Sequence, residues 1–131
     1  MPDDFIIVAR RPTPDEVLTR LCELVPGFRT TWQDSMFIEK YGSFSVHGVF
    51  SEFSSYVHSH FTEFDEASWE SLFEYIEQCV TTDTYSDSGV ANAACTCFLE
   101  NIAGEGALSR KASHYLGPES RKYFDRWDVV E

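Results

Sequence analysis

Four glutamates, Glu66, Glu70, Glu74 and Glu77, recur three or four residues apart in the stretch DEASWESLFEYIEQCV, residues 65–80. At that spacing they share one face of a helix. Carboxylates in such a row can do acid/base work if a cleft buries one of them and shifts its pKa. They can also hold the cationic groups of a partner by charge. Nothing in the sequence places any of them in a buried cleft. Each like-charged pair opposes the helix by a few tenths of a kcal/mol, and no lysine or arginine is interleaved to relieve it. Two readings stand side by side: a solvated face on an acidic protein, or a docking surface for a basic partner. The docking reading centres on Glu63, Asp65, Glu66, Glu70, Glu74 and Glu77, with Asp83 and Asp87 on the adjoining loop.

Other reactive residues form weaker patterns. The histidines are His47, His58, His60 and His114. His58 and His60 would point to different faces of a helix, and no third ligand lies at a metal-binding spacing. Cys95-x-Cys97 has the same difficulty, and there is no CxxC pair for zinc or redox chemistry. No GxSxG or SxxK element and no glycine-rich phosphate loop occurs. The expectation is a non-enzyme with no cofactor and no metal.

The charge distribution narrows the partner. The net charge is −12 over 131 residues, and residues 41–109 hold eleven acids and no lysine or arginine. Such a block repels phosphates, so nucleic acid and anionic membranes are excluded as direct ligands. It favours cationic partners and steered association with them. No apolar run approaches the roughly 20 residues of a membrane span, and Asp3 and Asp4 are the opposite of a cationic leader. Cys22, Cys79, Cys95 and Cys97 each fall in a helix-like segment and are read as reduced, buried thiols in a cytoplasmic protein.

The elements that must position these residues are helical. Residues 1–12 are an arm with the apolar run Phe5-Ile6-Ile7-Val8, and residues 13–131 a single domain. Thr13, Pro14 and Glu16 spell a capping box that opens a helix with Val17, Leu18, Leu21, Leu24 and Val25 inward, and Pro26-Gly27 ends it. A second helix is expected from Thr30 or Thr31 to Lys40, with Trp32, Met36 and Phe37 inward and Gly42 as its stop. A third runs within 43–61, on Val46, Val49, Phe50, Phe53, Tyr56 and Val57. Asp65 caps the acidic helix, whose other stripe is Trp69, Leu72, Phe73, Ile76 and Val80. Residues 89–103 form the most apolar helix, expected at the centre against the Trp69 face. Shorter helices are expected over 107–116 and 118–127. No segment alternates with the period of a strand. The fold class is all-α, a single-domain bundle of five to seven helices.

The runs IEKYGSFSVHGVFSEFSSYV (38–57), WESLFEYIEQ (69–78) and VANAACTCFLENI (90–102) carry a resemblance. Together they resemble a small family of acidic, all-helical bacterial domains, the Phe98-Leu99-Glu100-Asn101 signature being the most specific part. The resemblance covers residues 13–116; the arginine-rich tail from Arg110 to Arg126 is less like the family. Proteins of this kind are often suspected immunity proteins of bacterial polymorphic toxin systems. The resemblance therefore implies a protein that binds and neutralises a cognate toxin, with no catalytic residue to carry over. Toxins that attack nucleic acids tend to be basic, which agrees with the charge map. The runner-up is an interaction or regulatory module for another basic protein, or for its own oligomer; an enzyme with a dispersed site is a third class.

Overall fold

A computed structural model describes residues 12–82 and 89–127. Residues 1–11 of the expected arm, and Asp83 and Asp87 of the expected docking surface, lie outside the described residues. The described residues form seven helices and no strand, the all-α single-domain bundle that the apolar periodicities predict. None of these helices is long and apolar enough to cross a membrane.

Helix α1 (Pro14–Leu24) opens with both halves of its capping box. The Glu16 amide donates to Thr13 Oγ1 at 3.1 Å, and the Thr13 amide donates to Glu16 Oε1 at 2.8 Å. Its inward stripe is Val17, Leu21 and Cys22.

Helix α2 (Phe28–Gln33) corrects the sequence expectation. It starts earlier than Thr30 and stops well short of Lys40. Trp32 is buried as expected, but Met36 is 85% exposed and Phe37 38% exposed. The reason is local competition for the backbone. The Ser35 hydroxyl donates to Glu52 Oε1 at 2.7 Å and accepts the Phe37 amide at 3.0 Å, so residues 34–44 close as turns. Gly42, at φ 88°, closes the last of them and ends no helix.

Helix α3 (Val46–His60) is capped by Ser45, whose side chain accepts the Gly48 amide. It buries Val46, Val49, Phe50, Phe53 and Val57 at the expected spacing. A short 3-10 turn (Phe61–Glu63) leads to α4 (Glu66–Thr82), which buries Trp69, Leu72, Phe73, Ile76, Cys79 and Val80.

Helix α5 spans residues 90–102 and packs on α3 and α4, the central place its composition predicts. It is not a uniform α-helix. Between the turns Val90–Ala93 and Glu100–Ile102 lies a π-helical stretch, Ala94–Leu99. Side chains take up carbonyls around it: Thr96 Oγ1 donates to the Asn92 carbonyl at 2.9 Å, and Asn101 Nδ2 to the Cys97 carbonyl at 2.8 Å. Phe98 is the hub of the core. Its ring lies 5.5 Å from Phe53, 5.9 Å from Phe73 and 6.3 Å from Phe50, centroid to centroid.

Helix α6 (Gly106–Ala112) is shorter than the expected 107–116, because residues 113–117 turn back toward α4. Helix α7 (Pro118–Trp127) packs on both α4 and α5. It buries Phe124 completely but leaves Trp127 46% exposed.

Candidate functional site

Three of the four histidines are tied up separately. His47 bonds the Asn92 side chain at 2.7 Å, His58 the Asn101 carbonyl at 2.9 Å, and His60 the Tyr56 carbonyl at 3.1 Å while stacking on the Tyr56 ring. His114 is exposed on the corner after α6. Among the described residues no three His, Cys, Asp or Glu side chains gather to hold a metal ion. All four cysteines are free; Cys22 and Cys79 are buried, whereas Cys95 and Cys97 are only half-buried.

An open groove of about 640 Å³ runs along α4. One wall is the glutamate face, Glu66, Glu70, Glu74 and Glu77, with Gln78 at its end. The other wall is the corner between α6 and α7, which contributes His114, Tyr115 and Gly117, and Phe73 lies between the two. The helical spacing that puts Trp69 and Phe73 in the core sets the glutamates on the neighbouring strip of the same helix. Tyr115 is fixed against α4 by stacking on Trp69, centroids 5.6 Å apart and planes 14° apart.

The glutamates are not equivalent. Glu66, Glu70 and Glu74 are exposed, one helical turn apart. Among the described residues, none of their carboxylates enters a salt bridge; those found are Arg20–Glu23 and Lys122–Glu119, both 3.2 Å. Glu77 is half-buried and turned into the corner. Its carboxylate accepts the amides of Glu119 (3.0 Å) and Ser120 (2.9 Å) and the Ser120 hydroxyl (2.8 Å). Partial burial pushes the Glu77 pKa up, but the bonds from Ser120 and Glu119, with Lys122 nearby, outweigh it and hold the carboxyl below its ordinary value.

The remaining expected docking residues divide as well. Asp65 caps α4, accepting the Ser68 amide at 2.8 Å, and that bond lowers its pKa. Glu63 is exposed on the 3-10 turn, outside the groove, and helps raise the Tyr56 pKa after the effect of burial. The structure thus brings four of the expected residues to one groove and gives Glu77 and Asp65 internal partners. Sequence reasoning missed Phe73, Gln78, His114, Tyr115 and Gly117 as lining. Phe73 reads as core and Gln78 lies on α4 itself, whereas His114, Tyr115 and Gly117 are brought to α4 only by the turn after α6.

The arrangement can hold a cation or a cationic side chain between carboxylates and an aromatic wall. Lys111 already lies over the Tyr115 ring, 5.8 Å from its centroid. A family profile described as "Domain of unknown function (DUF7674)" matches residues 18–129. That span takes in the arginine-rich tail that the sequence resemblance had set apart. Neither a curated protein nor a solved structure matches the chain.

Proposed function

The chain belongs to the DUF7674 family of domains of unknown function, and from that premise we propose that it is a non-catalytic protein-binding domain whose acidic groove takes a basic segment of a partner. The partner is a cognate bacterial toxin domain, which the protein neutralises as an immunity protein does. The observation that carries the binding part is the row Glu66, Glu70 and Glu74. These three carboxylates repel one another, make no salt bridge among the described residues, and border a groove with an aromatic wall. Their self-repulsion opposes the helix, so a use outside the fold accounts for them better than a use inside it. The toxin part rests on the sequence resemblance and on the eleven-acid block without a base. Free thiols fit a reducing compartment, the cytoplasm.

The test is co-expression and binding with the C-terminal domain encoded by the adjacent reading frame. Rescue of growth, with a fast and salt-sensitive association rate, supports the proposal. The double variant Glu70→Lys, Glu74→Lys should slow association and flatten its salt dependence. An unchanged rate with an intact fold would move the docking surface elsewhere. Absence of both rescue and binding would remove the toxin as partner.

A further inference from the structure

The N-terminus of α7 lacks a local cap. The Gly117 carbonyl accepts the first bond of the helix, from Arg121 at 2.9 Å, so Gly117 stands at the capping position with no side chain to offer. The missing acceptor comes from another helix: Glu77 takes the free amides of Glu119 and Ser120 and the Ser120 hydroxyl. Gly117 makes this approach possible, because a Cβ there would sit 2.5 Å from Glu77 Cδ and 2.7 Å from Cγ. The corner so held carries His114 and Tyr115, the far wall of the groove.

We infer that Glu77 is the positioning residue of the groove: its carboxylate latches the α6–α7 corner to α4, so that a cationic partner meets a preformed wall. The inference rests on the docking reading above and deepens it, since Glu77 sets affinity by holding the far wall in place. A preformed site loses less ordering entropy on binding. Breaking the latch therefore weakens binding mainly through faster dissociation. Loss of a facing charge such as Glu74 acts instead on association and its salt dependence.

Two variants separate these effects. Glu77→Ala removes the acceptor. Gly117→Asn keeps every charge, supplies a local cap for α7, and displaces Glu77 through its Cβ. The probe is a hexa-arginine peptide, with Glu74→Gln as the charge control. The wall is read independently by the Trp69 indole N–H resonance, which feels the stacked Tyr115 ring, and by amide exchange at Glu119 and Ser120. In Glu77→Ala both amides should exchange faster, and in both variants the Trp69 resonance should shift. Peptide dissociation should quicken about five- to tenfold in both, while Glu74→Gln slows association and leaves the Trp69 resonance in place. If the wall moves but dissociation stays at the wild-type rate, the positioning role fails and the docking reading survives. If Glu77→Ala leaves the exchange and the Trp69 resonance unchanged, there is no latch. If the wild type does not bind the peptide, the docking reading falls, and the latch is judged by the wall signals alone.

Discussion

Trp69 and Tyr115 stack nearly parallel, 14° apart with centroids 5.6 Å from each other. Trp69 belongs to the core and is 1% exposed, whereas Tyr115 forms part of the groove. The pair therefore joins the apolar and acidic strips of α4 to one surface, and any partner seated against Tyr115 bears on the core through Trp69.

The core hub sets the largest stability effect. Phe98 is fully buried and meets three other rings. Phe98→Ala should cost about 3–5 kcal/mol as a large truncation in a packed site. Urea unfolding of the two proteins measures it, and a cost under about 1 kcal/mol would mean that the ring is not packed as described.

The exposed glutamates should behave oppositely. Glu70→Lys with Glu74→Lys removes two repelling neighbours from α4, so thermal stability should stay within about 0.5 kcal/mol of wild type or rise. A loss above about 1 kcal/mol in thermal melts would reveal an internal partner for these carboxylates.

Glu77 should give stability a dependence on acid. Its folded pKa lies below the ordinary value of 4.5, so the carboxylate form is the one that the fold favours. The contribution is complete above that value and is lost as pH falls through and below it. Glu77→Gln should cost about 1–2 kcal/mol at neutral pH, allowing for partial solvent exposure, and the gap to wild type should close in acid. A gap that stays constant from pH 7 to pH 3 would contradict the bonding pattern seen at Ser120.

The thiols should react in two classes. Burial pushes the Cys79 pKa up to about 12, so little nucleophilic thiolate forms near neutrality. Native protein should label first at half-buried Cys95 and Cys97, with Cys22 and Cys79 reacting only on unfolding, and denatured protein should titrate four thiols without reductant. Rapid native labelling of Cys79, or fewer than three thiols on unfolding, would overturn this.

Much of the architecture was legible locally. The capping box at Thr13, the apolar stripe of α4 and the composition of α5 each depend on residues within a turn or two of one another, and each appears where its period predicts. The 3.6-residue repeat and the capping chemistry are properties of short chain segments. The row Glu66, Glu70 and Glu74 was legible for the same reason.

Where local signals compete, the pattern misleads. Met36 and Phe37 fit a helical stripe, yet the Ser35 hydroxyl binds Glu52 and the Phe37 amide and turns the chain away. The π stretch of α5 was equally hidden, because a helix period reads the same apolar residues whether the turn is tight or wide.

The sequence by itself therefore determined the helices, the core stripe of α4 and the unrelieved run of acids on its neighbouring face, since each follows from spacing along the chain. Only the tertiary structure decided that Glu77 caps a helix 43 residues away, that the basic tail folds back beside the acidic helix, and that Tyr115 and His114 complete a groove. Those facts depend on a close approach between α4 and a glycine corner. Nothing in the local chemistry of either segment specifies that approach until both have packed against the same core.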